Sequence, residues 1–386
     1  MLFCRFNSTG YMFRLHCSAA HLVQYIASCL FVTPVAQRFF AHTVGVFEQH
    51  DIAGDATLSR EVLNHTDILS MPDSDPSRKS PSSPADISQP EAMASVKLTP
   101  NVKHLLTLRN PNVLPSPSLK QLNRVFTNTF RDAQAKKAET GWLVATTCSL
   151  LTANRPSAIG HLYRFVTRST LEDSQNQGAL DVPAALNKAA LMRESALKSV
   201  IFIGVPRVIL SLAALNEALD DEVKKSLRTN SRRTATPDNI ESIVTRGQTL
   251  WNSIYAPHAD KLYNKLGSYH PDFITFIIQC YGSVLSPMSG ETKSFGDASS
   301  QDDLDQGNLS RALGSVVGMA CLRAEGGVGP QLISHTFGLL KARTVEIQSA
   351  EDKWLSSDEG TEWILRTVDE VLDGVSAEDR EAKPKL

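Results

Sequence analysis

A glycine–valine–proline corner between two apolar stretches, within Arg193–Leu219, restricts the fold of this chain more than any other feature. Apolar residues recur at helical spacing up to Ile203, which predicts a helix ending there. Gly204 can adopt the left-handed conformation that closes a helix, and Pro206 lacks the N–H that a first helical turn leaves unpaired. The sequence therefore predicts a hairpin of two helices joined at Gly204.

Two opposite charges, Glu194 and Lys198, stand four residues apart in the first helix of this hairpin. This order favours an ion pair on an exposed helical face, worth a few tenths of a kcal/mol. The spacing therefore predicts a solvent-exposed pair.

Helical periodicity extends over most of the chain beyond residue 117, and no segment alternates apolar and polar residues as a strand does. The predicted fold class is all-α. The predicted helices are Ser118–Lys137, Gly141–Ala153, Ser157–Thr167, Pro183–Ile203, Pro206–Ser226, Ile240–Ile254, Ala259–Leu266, Pro271–Tyr281, Asn308–Ala324, Pro330–Ala342 and Trp363–Val375.

Composition divides the 386 residues into five segments. The start of the chain ends in a stretch rich in Ser, Pro and Asp, which cannot bury enough apolar surface to offset the entropy of ordering. The predicted segments are a leader with a disordered linker (1–95), a first helical half (96–226), a linker (227–240), a second helical half (241–376) and a tail (377–386).

Charge and motif content exclude several classes of protein. The net charge of −2 gives no general attraction to nucleic acid. The apolar run Leu22–Ala36 is shorter than the roughly 20 residues that span a bilayer, so we expect no membrane span. The six cysteines form no C-x-x-C pair, and the chain has no phosphate-binding glycine loop and no HExxH motif. We therefore expect no cofactor and no metal.

Two stretches, Trp142–Val166 and Ser315–Leu340, match each other in pattern. Each has a cysteine in an apolar helix, then a loop, a proline and, five residues later, a histidine. The match predicts an internal duplication. Equivalent histidines suggest a shared pocket, whereas a single one would more often be a core or interface residue. The matched pairs are Cys148 and Cys321, Pro156 and Pro330, and His161 and His335.

Motifs in the second half resemble those of a known family. Arg246–Ser286 has an Arg-Gly start, a Pro-Asp before an apolar helix and a Tyr-Gly before a loop. Arg311 lies in LSRALGSVVGMACL and His335 in QLISHTFGLLKA. Together with the corner at Gly204, these segments resemble the carboxymuconolactone decarboxylase and alkyl hydroperoxidase D (AhpD-like) superfamily, especially its long fungal members. The resemblance implies an AhpD-like helical bundle of two related halves that forms a homo-oligomer.

The chain departs from the redox branch of that family. That branch uses a C-x-x-C motif whose second cysteine precedes the histidine by four residues. Peroxide reduction through a disulfide needs both an attacking and a resolving thiol. The four corresponding positions here are Asn154, Ser157, Val328 and Gln331, so this chemistry is not expected.

The decarboxylase branch needs no cysteine, and resemblance to it implies a cofactor-independent acid–base enzyme acting on a small lactone or carboxylic acid. His335 would be the acid or base, and Arg311 or Arg323 would hold a carboxylate. His161 joins the candidate residues if the two histidines share a pocket.

Two other functions stay open. The first is a non-catalytic AhpD-fold protein for binding or assembly, and the second is a thiol peroxidase that uses one helical cysteine alone. A polar cavity containing a histidine and an arginine favours the enzyme. A histidine enclosed in a dry helix interface favours the binding protein.

The two ends of the chain predict different locations. Pro384-Lys385-Leu386 resembles the Ser-Lys-Leu signal read by the peroxisomal import receptor, so we expect the peroxisome. The first 47 residues contain arginines but no Asp or Glu, as mitochondrial presequences do. Translation from Met93 would remove that leader, and without either signal the location would be the cytosol.

Overall fold

The computed structural model describes residues 97–109, 116–168, 180–345 and 348–381. All of them belong to the compact unit Met93–Leu386. They form 14 α-helices, one π-helical segment and no strand, so the all-α prediction is confirmed. The predicted leader and the Pro384-Lys385-Leu386 signal lie outside the described residues.

Many of the helices follow one another with short connections, and a longer segment separates the π-helical segment from α11. They are α1 (Pro100–Leu106), α2 (Leu119–Lys136), α3 (Glu139–Thr152), α4 (Pro156–Thr167), α5 (Val182–Ile203), α6 (Val205–Ala218), α7 (Asp221–Ser226), α8 (Ile240–Tyr255), α9 (Ala259–Tyr269), α10 (Pro271–Cys280), the π-helical segment (Tyr281–Leu285), α11 (Arg311–Glu325), α12 (Gly329–Ala342), α13 (Ala350–Leu355) and α14 (Asp358–Glu381).

Local sequence signals set several of these boundaries. Ser118 caps α2, because its Oγ accepts a hydrogen bond of 3.3 Å from the backbone N–H of Gln121. Gly204 ends α5 and precedes α6 with φ 82° and ψ 161°, a conformation that is accessible essentially only to glycine. Pro206 lies in the first turn of α6. The predicted pair of helices joined at Gly204 is therefore confirmed, but the glycine has an extended ψ and not the left-handed helical conformation that was expected.

The predicted helix Pro206–Ser226 is instead two helices, because the backbone is extended at Leu219 and Asp220. The Asp220 carboxylate accepts a hydrogen bond of 3.2 Å from the Tyr163 hydroxyl and lies 3.4 Å from the Arg168 guanidinium. These contacts with α4 and the residue after it fix Asp220 outside a helix, which periodicity alone does not reveal.

The helices that carry Cys148 and Cys321, α3 and α11, pack on each other at the centre, and both contact α5 and α14. One hydrophobic core joins residues from both predicted halves, from Leu122 to Val375. A smaller apolar cluster surrounds Trp251 on α8 and includes residues of α10 and the π-helical segment. The site described below lies where this smaller cluster meets α11 and α12.

Two glycines let α8 touch the end of α10 and the π-helical segment backbone to backbone. A β-carbon at Gly247 would overlap the carbonyl oxygen of Ile278, and one at Gly282 would overlap that of Ile243. They belong to the Arg-Gly and Tyr-Gly motifs of the sequence. These motifs therefore mark a helix crossing that only glycine permits.

The prediction that Glu194 and Lys198 are exposed is wrong. Their side chains are 4% and 0% exposed, and Lys198 Nζ lies 3.5 Å from Glu194 Oε1. Nζ also donates hydrogen bonds of 2.8–3.0 Å to three successive carbonyl groups at the end of the π-helical segment, those of Val284, Leu285 and Ser286. The π-helical segment therefore covers this face of α5, although its charged residues predict a face that is exposed to solvent.

Hydrogen bonds join the predicted linker, residues 227–240, and the loop between the π-helical segment and α11 to this core. Arg233, in the linker, donates two hydrogen bonds to the Glu194 carboxylate. In the loop, the Phe295 N–H donates to Thr140 Oγ1 at 2.9 Å. The Asn187 side chain donates to the carbonyl of Ser294 in the loop at 2.7 Å. Both segments are thus anchored to the central helices.

No helix in the described part of the chain is long and apolar enough to cross a membrane.

Candidate functional site

His335 lies one turn into α12, which begins with Gly329-Pro330, and its side chain is buried. Its ring is nearly perpendicular to two aromatic rings, with 5.1 Å between centroids for Phe202 and 6.4 Å for Tyr255. Gly318 of α11 leaves room for the ring, since a β-carbon there would lie 2.7 Å from His335 Nδ1. The histidine is thus held between α5, α8 and α11.

Two tyrosine hydroxyl groups form a short hydrogen-bonded series that ends at the imidazole. His335 Nε2 lies 3.4 Å from the Tyr281 hydroxyl, which lies 3.1 Å from the Tyr255 hydroxyl. Sequence reasoning assigned no role to either tyrosine, although Tyr281 belongs to the Tyr-Gly motif. The contact between the two tyrosine hydroxyl groups arises because α8 packs against the π-helical segment, and these two elements are not adjacent in the sequence.

Arg311, the first residue of α11, lies beside this histidine. Its guanidinium donates hydrogen bonds to Ser315 Oγ, to the Gly338 carbonyl at 3.2 Å and to Ser253 Oγ at 3.3 Å. No carboxylate of the described residues lies within ion-pair distance of it. Ser315 could have been found in the sequence, as a polar residue one turn after Arg311 in an apolar run.

His335 and Arg311 line one small cavity of about 10 Å³. That volume accommodates roughly one water molecule. The remaining walls are mainly apolar and come from α8, the π-helical segment, the residues after it and α11. They are Leu250, Ile254, Leu285, Pro287, Gly314 and Ser315.

Burial and mutual repulsion set the protonation states. Burial, followed by the Arg311 charge, lowers the pKa of His335 from 6.5 to about 4. Burial lowers the pKa of Arg311 to about 10. Burial, followed by Tyr255, raises the pKa of Tyr281 well above its ordinary value. At neutral pH the site therefore contains a neutral imidazole, a neutral phenol and a guanidinium cation.

The second candidate histidine, His161, lies in different surroundings. Its Nε2 is 2.8 Å from Asn123 Oδ1, and its ring stacks on Phe126 at 6.1 Å between centroids. Burial, followed by the Arg164 charge, lowers its pKa. The contacts of His161 involve α2, whereas those of His335 involve α5, α8, α11 and the π-helical segment, so the two do not form a common pocket.

The alternative carboxylate-holding residue, Arg323, is not brought to the cavity. It lies in the last turn of α11 and forms two hydrogen bonds with the Asp369 carboxylate, of 2.8 and 2.6 Å. Both side chains are more than 40% exposed. Of the two candidate arginines, only Arg311 lines the cavity with His335.

Cys148 and Cys321 both lie close to one hydroxyl group, that of Ser199. Cys148 Sγ lies 3.4 Å and Cys321 Sγ 3.3 Å from Ser199 Oγ, and both thiols are fully buried. Burial, followed by the neighbouring Cys321, raises the pKa of Cys148 well above its ordinary value. This environment keeps the Cys148 thiol protonated and therefore poorly nucleophilic.

Among the described residues, no three or more His, Cys, Asp or Glu side chains converge in a way that could hold a metal ion. No protein-family model matches the chain, and the comparisons with curated proteins and with solved structures found no match. The functional argument therefore rests on the geometry around His335 and Arg311.

Proposed function

We propose that this protein is a cofactor-independent acid–base enzyme that acts on a small lactone acid or carboxylic acid, with His335 as the proton-transferring group. The observation that carries the proposal is the state of Arg311. It is a largely buried cation that shares a cavity with a neutral histidine and has no carboxylate partner in the described part of the chain. Since a buried unpaired charge is costly, an anionic substrate would stabilise this arrangement.

A substrate carboxylate bound to Arg311 would also change His335. The arginine charge contributes to the low pKa of the imidazole, so an anion that neutralises it raises that pKa. His335 then becomes a stronger base as the substrate binds. Tyr281, 3.4 Å from Nε2, is placed to hydrogen-bond the imidazole during proton transfer.

Substrate entry requires the site to open, because the cavity of about 10 Å³ is smaller than any lactone. Its wall includes the side chains of Leu250, Ile254 and Leu285, and the backbone after Leu285 continues into the longer segment before α11. Rearrangement of these apolar side chains would enlarge the cavity without breaking the hydrogen bonds of Arg311.

The proposal includes an AhpD-like bundle of two related halves. It is supported by the pairing of α3–α4 with α11–α12: each pair has an apolar helix followed by a helix with proline in its first turn. The convergence of Cys148 and Cys321 on Ser199 also supports it, since equivalent residues of a duplicated unit meet at its local axis. A homo-oligomer and a peroxisomal location belong to the same proposal.

A non-catalytic binding or assembly protein is the second candidate. It is favoured by the small size of the cavity and by the packing of His335 against two aromatic rings. A thiol peroxidase is the weakest candidate, because both thiols are fully buried.

The test is turnover of carboxylated lactones by the full-length protein. We expect His335→Asn to abolish turnover and Arg311→Met to raise KM strongly, with the fold intact by circular dichroism. Arg323→Gln and Cys321→Ser are the matched controls and should retain activity. An active His335→Asn variant would exclude the proposed role. Absence of turnover with every lactone and carboxylic acid tried would favour the binding protein.

A further inference from the structure

A larger cavity lies beside α5. It has a volume of about 450 Å³ and is bounded by α5, α6, α7 and the residues after α7. Its size falls within the range of small-molecule sites. Its floor is apolar and consists of the buried leucines Leu215, Leu219 and Leu227. It shares no lining residue with the cavity of His335.

The charged residues of this cavity are all cations: Arg193, Lys224 and Arg228. Arg193 is the least satisfied of them. Within the described residues its guanidinium has no hydrogen bond or ion pair, although Glu194 attracts it electrostatically. Arg228 donates one hydrogen bond, to the Asn230 carbonyl at 3.1 Å, and lies 3.9 Å from Glu194. Two guanidinium groups thus retain free donors beside an apolar floor.

The nearby carboxylates do not neutralise the two arginines, because Asp221 pairs with Lys224 at 3.7 Å and Glu194 is shared among several cations. Glu194 already pairs with Lys198 and Arg233 in addition to Arg228. The pKa of Arg228 is lowered first by burial and then, against the attraction of Glu194, by repulsion from three other arginines, Arg193 among them. The region therefore carries an excess of positive charge that an anion would relieve.

A smaller cavity of about 140 Å³ adjoins the first and shares Arg193, Leu212 and Arg228 with it. Arg193 and Arg228 therefore stand where the two cavities meet, with apolar surface beside them. A guanidinium group binds a carboxylate or phosphate through two parallel hydrogen bonds, and leucine side chains accept only the apolar part of a ligand.

We propose that this cleft binds an amphipathic anion, a molecule with one carboxylate or phosphate group and a short apolar body. Arg193 and Arg228 hold the anionic group, and Leu215, Leu219 and Leu227 contact the body. The site is independent of the acid–base site at His335, so either proposal can fail without the other.

The experiment is isothermal titration calorimetry of the full-length protein with three probes: sodium octanoate, octanol and inorganic phosphate. We expect octanoate to bind with at least tenfold higher affinity than either of the other two, because only octanoate satisfies both the arginines and the leucines. Arg193→Gln should weaken octanoate binding about tenfold or more, since a hydrogen bond to a charged group is lost. Arg131→Gln, at an exposed position of α2, should leave it unchanged.

A second variant tests the same site in case Arg193→Gln impairs folding. Asn216 is an exposed residue of the cavity wall, and Asn216→Asp adds a negative charge there without disturbing buried contacts. It should weaken octanoate binding severalfold while the thermal midpoint stays unchanged. Octanoate that fails to bind, binds no more tightly than phosphate or octanol, or binds equally to the wild type and both cavity variants would overturn the proposal.

Discussion

Glu194 and Lys198 form an ion pair that the protein encloses almost completely, with 3.5 Å between Oε1 and Nζ. Removing one partner of a buried pair leaves an uncompensated charge, which costs about 3–5 kcal/mol. Glu194 also pairs with Arg233. We therefore expect Glu194→Gln to lower the free energy of unfolding by about 3 kcal/mol or more, measured by urea denaturation.

The chain contains a matched control for this prediction. Glu362 and Arg366 have the same spacing on α14, but their side chains are 63% and 71% exposed. Glu362→Gln should leave the free energy of unfolding nearly unchanged, because solvent screens an exposed pair. Similar effects at the two positions would contradict the burial of the first pair.

The crossing of α8 and the π-helical segment gives a second prediction. A β-carbon at Gly282 would overlap the Ile243 carbonyl oxygen, so Gly282→Ala must push the two backbones apart. We expect a loss of about 3 kcal/mol in the free energy of unfolding. Gly296→Ala is the control, because no atom lies within 4 Å of a β-carbon there. A Gly282→Ala variant as stable as the wild type would contradict a backbone contact this close between the two elements.

The corner at Gly204 gives a third prediction. Its φ of 82° is poorly accessible to a β-branched residue, so Gly204→Val should lower the free energy of unfolding by about 3 kcal/mol. Gly329→Val should have a much smaller effect, since a β-carbon there has no neighbour within 4 Å. Equal thermal midpoints for the two variants would show that the corner does not require glycine.

These three cases show what the sequence can and cannot predict. The corner at Gly204 and the cap at Ser118 depend on neighbouring residues, so local pattern was sufficient. The burial of Glu194 and Lys198 depends on the π-helical segment about 90 residues later, which no local window contains. Arg311 and His335 could be singled out by resemblance. The contact of Tyr281 with His335 could not, because it too joins segments that are distant in sequence.

The burial of His335 makes stability depend on pH. Its pKa in the folded protein, about 4, lies below the ordinary 6.5, so the unfolded chain binds more protons between these values. This contribution to stability is present above pH 6.5 and is lost as the pH falls toward 4. We expect the destabilisation caused by His335→Gln to be about 2 kcal/mol smaller at pH 4.5 than at pH 7, by urea denaturation.

The matched control is His104→Gln, at an exposed position of α1. Because this side chain is exposed, the substitution should have little effect on the free energy of unfolding. A His335→Gln effect that is independent of pH would mean that the imidazole is accessible to protons in the folded protein.

The central claim is that an anion bound to Arg311 controls the protonation of His335. An NMR titration of the ¹³C-labelled histidine rings, with and without a carboxylated lactone, tests it most directly. Without ligand, His335 should titrate near pH 4, where burial and the Arg311 charge hold it. With ligand, its pKa should rise toward 6.5, and Arg311→Met should raise it without ligand and remove the response. A His335 pKa that is the same in all three states would contradict the claim.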